Sequence, residues 1–134
     1  MKTKWLAYSV WAGRIMTALA VLFLLFDGVI HVIRIPPVVE SFGQLGYPVS
    51  LALGIGVLEL VCLVVYVIPR TAVFGAILLT GYLGGAVATN VRISSPLFSH
   101  TLFPVYGGGL VWGGLYLRDD WLRALIPLRR RGEK

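Results

Sequence analysis

Four side chains that could do chemistry lie in segments that are otherwise almost wholly apolar. Asp27, His31 and Arg34 occur in the stretch FDGVIHVIR, and Glu59 lies in the run LELVCLVVYV. Their spacing of i, i+4 and i+7 places Asp27, His31 and Arg34 on one face of a helix. An acid–imidazole pair facing a second carboxylate is suited to general acid–base chemistry on a lipophilic substrate. The same groups could instead bind a quinone head group, with His31 or Arg34 donating to its carbonyl oxygens.

Four further polar residues are candidates for the same site. At 1.5 Å per residue, Asn90 lies roughly 3 Å below Arg92, near the outer end of its helix. Arg92 points to nearly the opposite face, so it is a secondary candidate, as is His100, which comes just before the last apolar segment. Tyr66 shares the helical face of Glu59 and is a possible hydrogen-bonding neighbour on the cytoplasmic side.

Metal and haem binding are not expected from the sequence. Asp27, His31 and Glu59 are suitable ligand types, but they show no characteristic metal-site spacing. Haem ligation by two histidines would require His31 and His100 to meet. Cys62 is the single cysteine, which excludes an intramolecular disulfide and a cysteine-based metal cluster.

The composition indicates a membrane protein. Hydrophobic residues make up 57% of the 134-residue chain and charged residues 13%, against roughly 45–50% and 25% in globular domains. About 20 apolar residues cross a bilayer core, and four segments are long enough, two of them interrupted only by Asp27 or Glu59. The sequence therefore predicts an all-α polytopic membrane protein, an antiparallel four-helix transmembrane bundle in one domain over residues 1–134. The expected spans are about 10–33, 48–68, 72–91 and 100–117.

The connections support this order of helices. Pro36 and Pro37 end the first span, and an outer loop with apolar positions such as Phe42 suits a short interfacial segment. The connection PRT is so short that spans two and three must be antiparallel neighbours. After the last span, RDDWLRALIPLRRR predicts a short amphipathic cytoplasmic helix that ends at Pro127. Its apolar face comprises Trp121, Leu122, Leu125 and Ile126.

The basic residues set the expected topology. Ten of the twelve fall on one side of a four-span arrangement, and only Arg34 and Arg92 fall on the other. The positive-inside rule then places both termini in the cytoplasm. The ten are Lys2, Lys4, Arg14, Arg70, Arg118, Arg123, Arg129, Arg130, Arg131 and Lys134. The net charge of +6 is accordingly interpreted as a contact with anionic lipid headgroups and not with nucleic acid. No cleavable signal peptide is expected, because no small-residue cleavage site follows the first apolar run.

Small residues recur at helical spacing in the third and fourth spans. Such rows let helix backbones approach closely in lipid, so they are expected to mediate helix packing. One row is Ala76, Thr80, Gly84 and Ala88; a second is Gly81, Gly85 and Thr89; the fourth span carries Gly109 and Gly113. Alternatively these faces could dock a partner protein.

Two runs, LELVCLVVYVIPRTAVFGAILLTGYLGGAVATNVR and PLFSHTLFPVYGGGLVWGGLYLRD, resemble the DoxX-like family of small bacterial membrane proteins. The resemblance is close over about residues 55–119 and looser over the first span, and IPRTAVFGAILLTGYLGGAVAT is its specific part. It implies a four-helix bundle in the bacterial inner membrane. Most members have no known function, and relatives are associated with quinol oxidase or with oxidative-stress membrane complexes. The resemblance supplies no catalytic residues.

Three functions remain open at this point. The favoured hypothesis is a protein of redox or stress physiology that binds a small quinone-like lipophile in an outward-facing polar pocket formed by Asp27, His31, Arg34, Glu59 and Asn90. The alternatives are a small membrane enzyme of the isomerase type, and a non-catalytic subunit of a membrane redox complex or homo-oligomer. A purely structural reading is also open, in which Glu59 and the Asp27–His31 pair form an interhelical hydrogen-bond network.

Overall fold

All regular structure among residues 2–126, the part of the chain that the computed structural model describes, is helical. Side chains are described from residue 4 onward, so the side chain of Lys2 and the whole basic tail from Pro127 to Lys134 lie outside the described residues. Six α-helices follow one another, with a 3₁₀ turn at Pro69–Thr71 and a π-helical turn at Leu97–Thr101. They are α1 (Lys2–Ile33), α2 (Pro36–Leu45), α3 (Leu51–Val67), α4 (Ala72–Arg92), α5 (Phe103–Arg118) and α6 (Asp120–Leu125).

A helix occupies each of the four segments predicted to span the membrane. The largest difference from the predicted bounds is in the first span, because α1 begins at Lys2 and continues through Arg14 without a break. Helix α5 corresponds to the fourth predicted span. It begins at Phe103 and not at residue 100, because the π-helical turn occupies Leu97–Thr101.

Two of these helices are long and apolar enough to cross a membrane. They are the Lys4–Ile33 part of the first helix and Pro69–Arg92, while Leu51–Val67 is apolar but shorter. Large apolar side chains are widely exposed on the outer faces, for example Leu22 at 64%, Val64 at 59% and Phe74 at 58%. Exposed apolar surface on this scale marks a face that contacts lipid or another protein. The chain is therefore membrane-like in both its helices and its surface.

The helices α1, α3, α4 and α5 pack around one core. Helix α1 packs against α3 and α5, and α4 packs against the same two, which gives the cyclic order α1, α3, α4, α5. Leu24, Tyr66, Leu79 and Leu115, one from each helix, are at most 1% exposed at its centre. In lipid these contacts stabilise the fold through dispersion and close packing, because the surrounding acyl chains are as apolar as the core.

Helix α1 approaches its two neighbours closely at glycines. A Cβ atom on Gly56 of α3 would lie 2.9 Å from the carbonyl oxygen of Gly28 and 2.9 Å from the Cβ of His31. At the other crossing, a Cβ on Gly114 of α5 would lie 2.8 Å from the backbone nitrogen of Thr17 and 3.0 Å from the carbonyl oxygen of Gly13. Glycine is therefore needed at Gly56 and Gly114 for the backbones to meet.

The small-residue rows behave differently from the expectation. An added Cβ would meet nothing within 4 Å at Gly81, Gly84, Gly85 or Gly109, whereas at Gly113 it would lie 2.6 Å from Met16. The prediction that these rows mediate helix packing within the chain is thus wrong for Gly81, Gly84, Gly85 and Gly109. The close crossings use Gly28, Gly56 and Gly114, which the spacing rule did not select.

The two short helices are amphipathic, as their sequences indicate. Helix α2 buries Val38 and Phe42 against Ala52 and ends at Gly46, whose φ of 75° is left-handed and suits glycine. Helix α6 is capped by Asp119, whose Oδ1 accepts from the backbone nitrogen atoms of Trp121 and Leu122 at 2.9 and 3.0 Å. Of the predicted apolar face on α6, Leu122 enters the main core, while Trp121, Leu125 and Ile126 remain exposed.

Replacing Gly56 with Ala should destabilise the protein, because the added methyl group would collide with backbone atoms of α1. Overpacking of this kind costs about 1–3 kcal/mol, and unfolding of the purified protein in mild detergent would measure it. Gly54→Ala is the matched control, since its Cβ would meet nothing within 4 Å. Equal stability of the two variants would contradict the proposed crossing of α1 and α3.

Candidate functional site

A cavity of about 510 Å³ lies inside the helical ring, on the side covered by α2. Its walls are mainly apolar and include Phe23, Phe42, Ile55 and Phe103. Five of the eight residues singled out from the sequence line it. They are Asp27, His31, Glu59, Asn90 and His100.

Three of these residues form a cluster at the buried end of the cavity. Asp27, His31 and Glu59 each offer one ligand-type atom, and the three atoms lie within 4.8 Å of one another. Asp27 and His31 are brought together by their i, i+4 spacing on α1, and Glu59 comes from the neighbouring α3. The structure thus brings together two residues from the first predicted span and one from the second.

The hydrogen bond of His31 determines which of its ring nitrogens is available. Nδ1 lies 2.7 Å from the backbone carbonyl oxygen of Asp27 and 3.6 Å from the Oδ2 of the same residue. A carbonyl oxygen can only accept, so Nδ1 donates in this contact and carries the proton. In the neutral imidazole, Nε2 then holds a lone pair and acts as an acceptor.

Glu59 is completely buried, and only one of its two carboxylate oxygens is satisfied. Its side chain is 0% exposed, and Oε2 accepts a 2.9 Å hydrogen bond from the hydroxyl of Tyr82. No hydrogen-bond donor among the described residues reaches Oε1. An unmet hydrogen bond on a buried polar group costs about 1–3 kcal/mol, and more for a charged one.

The two carboxyl groups also oppose each other. Their oxygens lie within 4.8 Å, where two full negative charges repel by about 3.5 kcal/mol at an effective dielectric constant of about 20. Because Glu59 is fully buried and Asp27 partly buried, the pair persists when a proton or a cation compensates it. The cluster therefore combines a surplus of acceptors with a need for positive charge.

Tyr82 is a site residue that the sequence analysis missed. It lies on α4 within a long apolar run, and nothing in that run marks which side it faces. The tyrosine that was selected, Tyr66, lies outside the cavity. It is 0% exposed, and its hydroxyl donates to the carbonyl oxygen of Val111 at 2.9 Å, which ties α3 to α5.

The two arginines that were considered do not line the cavity. Arg34 is exposed in the turn after α1, with a φ of 53°. The guanidinium of Arg92 donates to the carbonyl oxygen of Leu45 and lies 5.6 Å from the centre of the Tyr47 ring. The Tyr47 hydroxyl is also 3.3 Å from Thr89 Oγ1, so Arg92 and Thr89 hold the end of α2 over the cavity.

The remaining polar groups of the cavity lie towards the end near α2. Asn90 lines the wall and donates from Nδ2 to the carbonyl oxygen of Ala86 at 2.9 Å. His100 is exposed, and its Nδ1 lies 2.8 Å from the hydroxyl of Ser99. The ring of Phe42 packs edge-on against His31, with their centroids 5.8 Å apart. The site is thus built by α1, α3 and α4 and covered by α2.

Removing the Tyr82 hydroxyl should destabilise the fold through Glu59. The Tyr82→Phe variant leaves both carboxylate oxygens without a donor, which should lower the unfolding free energy by about 1–3 kcal/mol. In a Glu59→Leu background the same change should have little effect, and unfolding in detergent would measure the complete double-mutant cycle. Tyr106→Phe is the control, because Tyr106 is 48% exposed. Additive losses in the cycle would show that the Tyr82–Glu59 contact carries no energy.

Comparison with known proteins identifies the family of the chain. No curated protein and no solved structure gives a significant match to this chain. The model of the DoxX-like family matches residues 15–114, which is most of the chain and includes every residue of the Asp27, His31 and Glu59 cluster. The chain belongs to the DoxX-like family.

Proposed function

We propose that the protein binds a small lipophilic molecule with a polar, quinone-like head group. One observation carries this proposal: a single cavity of about 510 Å³ joins mostly apolar walls to a compact polar cluster. Ligand sites are typically concave, mostly apolar and about 300–1,000 Å³ in volume, with a few polar groups that orient the ligand. Aromatic side chains such as Phe23, Phe42 and Phe103 are suited to stacking against a flat ring.

The hydrogen-bonding groups favour the hydroxyl-bearing form of such a ligand. Glu59 Oε1 and the Asp27 carboxylate accept, and His31 Nε2 accepts because Nδ1 is the donor to the Asp27 carbonyl. Arg34, the donor considered from the sequence, lies away from the cavity. A reduced, quinol-like ring donates from its hydroxyl groups and complements these acceptors, whereas the carbonyl oxygens of a quinone would compete with them.

The proposal includes a membrane arrangement. In it, α1, α3, α4 and α5 form an antiparallel four-helix transmembrane bundle in the bacterial inner membrane, with both termini in the cytoplasm. The cyclic packing of these helices and the asymmetric basic residues support it. Helix α2 and the π-helical turn then lie outside, and the cavity opens outward. A role in redox or stress physiology is supported by what the family resemblance implies.

The surroundings of the protein are part of the same proposal. The bilayer covers the exposed apolar faces, and a membrane redox complex or a second copy of the chain is the candidate protein partner. Gly84 and Gly109 support a partner helix, because an added Cβ at either would meet nothing within 4 Å.

Acid–base catalysis on the bound molecule is a second candidate function. It is favoured by the placement of one ligand-type atom from each of Asp27, His31 and Glu59 within 4.8 Å of the others, beside a mostly apolar cavity. Catalysis would be recognised as a substrate and product pair in wild-type extracts that becomes substrate alone in Asp27→Asn.

Filling the cavity should remove the bound molecule. In Gly81→Leu the new side chain enters space beside the cavity lining, so lipid extraction and mass spectrometry of the purified protein should show at least a tenfold loss of the copurifying lipophile. Gly54→Leu is the control, since Gly54 also has open space around it but does not line the cavity. A wild type purified from native membranes without any lipophile would overturn the proposed function.

The membrane arrangement is tested with single cysteines. Cys62 is buried and can be replaced by Ala to remove background labelling. In whole cells, a membrane-impermeant maleimide should label Ser41→Cys on α2 and leave Asp120→Cys on α6 unlabelled until the cells are opened. The reverse pattern would invert the proposed topology, and labelling of both positions in intact cells would contradict an even number of spans.

A further inference from the structure

We infer that Asp27, His31 and Glu59 bind a divalent first-row transition-metal ion at the buried end of the cavity. This inference deepens the proposed function and rests on it in one respect: with the ion on Asp27, His31 and Glu59, the head of the lipophile would meet the ion and would not hydrogen-bond to those three acceptors directly. The sequence argued against a metal because no ligand spacing was recognisable. A characteristic spacing identifies ligands that lie within one segment, whereas here two ligands come from α1 and one comes from α3.

The distances in the cluster are close to those of a metal site. With bonds of about 2.1 Å, two ligand atoms of a tetrahedral ion lie roughly 3.4 Å apart. The three ligand atoms lie within 4.8 Å of one another. The three side chains therefore lie close enough for local adjustment to bring them onto one ion.

The buried oxygen of Glu59 points independently to a cation. Oε1 has no hydrogen-bond donor among residues 4–126, although the side chain is 0% exposed. Its neighbours in the cluster are a carboxylate and an imidazole, and both are also ligand types. Two carboxylates and a divalent cation sum to zero charge, which suits an apolar interior. A metal ion would satisfy Oε1 and remove the repulsion between Asp27 and Glu59 together.

The hydrogen bonds around the cluster are those that metal ligands usually have. A ligating histidine commonly donates its other ring N–H to a backbone carbonyl or a carboxylate, and a ligating carboxylate is itself hydrogen-bonded. His31 Nδ1 donates to the Asp27 carbonyl oxygen, which leaves Nε2 for the ion. The Tyr82 hydroxyl donates to Glu59 Oε2, which leaves Oε1. Tyr82 is thus a positioning residue for Glu59.

The donor set indicates the class of ion. Two carboxylates and one imidazole suit Mn²⁺, Fe²⁺ or Zn²⁺, and the absence of thiolates among the three ligands argues against Cu⁺. Three protein ligands leave at least one coordination position free. That position would face the cavity, where a hydroxyl group of the bound molecule or a water molecule could occupy it.

Metal binding to the purified full-length protein tests this inference. After treatment with EDTA and buffer exchange, Mn²⁺ is added to the protein in detergent, and the free ion is followed by electron paramagnetic resonance. Wild type should bind one Mn²⁺ per chain, and Zn²⁺ should displace it. Glu59→Gln and His31→Gln should each lose this binding by at least a hundredfold. Tyr82→Phe should bind roughly 10–100-fold more weakly, as expected when a partner of a ligand is removed.

Matched controls separate a specific site from general effects. Glu40→Gln removes an exposed carboxylate on α2 and should bind Mn²⁺ like wild type. Gel filtration and circular dichroism check the fold of each variant. If Glu59→Gln fails to fold, His31→Gln decides, because the His31 side chain is 18% exposed and its replacement leaves the Tyr82–Glu59 contact in place.

The outcomes for the metal and for the lipophile can be distinguished. Gly81→Leu should lose the lipophile and keep the ion, since Gly81 is not a ligand. A wild type that holds a lipophile but binds no Mn²⁺ or Zn²⁺ would overturn the metal site and leave the proposed function standing. In that case, a proton shared by Asp27 and Glu59 would compensate their charge. Binding that survives equally in Glu59→Gln and His31→Gln would also overturn the site, whereas metal without any lipophile would overturn the proposed function alone.

Discussion

The burial of the Glu59 carboxyl group is the constraint on which the rest of the site depends. A fully buried acid in an apolar helix must have a hydrogen-bond donor, a proton or a counter-ion. Tyr82 satisfies one oxygen from α4, and Asp27 and His31 lie beside the carboxyl group from α1. Three helices, α1, α3 and α4, are therefore brought together around one polar point. The arrangement explains why an acid and an imidazole occur at the end of the first apolar helix: they face the interior of the ring and not the lipid.

Close backbone packing makes this polar point possible. Gly28 and Gly56 let α1 and α3 approach each other closely. A Cβ atom added to Gly56 would lie only 2.9 Å from the Cβ of His31. The position of the imidazole is thus set by a helix crossing as well as by its own hydrogen bond to Asp27. Around the π-helical turn and α4 the packing is looser, and Gly81 and Gly85 face open space that becomes part of the cavity. The α1–α3 side of the helical ring is thus tightly packed, whereas Gly81 and Gly85 on α4 leave an open volume.

Much of this could be predicted from the sequence, because apolar periodicity and prolines determine where the helices lie. The i, i+4 spacing placed Asp27 and His31 together, and counting depth from the helix ends placed Glu59 near them. The choice of partner from another helix could not be made in this way. Tyr66 and Tyr82 both lie in apolar helices, and only the rotation of each helix in the folded ring decides that Tyr82 meets Glu59 while Tyr66 meets Val111. The glycine rows failed for the same reason, since spacing alone does not identify the neighbour that a face meets.

Helix α2 links the chemistry of the site to the surface of the protein. Its Phe42 packs on the ring of His31, and its far end is held by Arg92 and Thr89 of α4. Arg92, which the sequence suggested as a secondary contact of a bound molecule, therefore holds α2 over the cavity. Through these contacts α2 joins two of the helices that build the site, since Phe42 lies against His31 of α1 while Leu45 and Tyr47 contact α4.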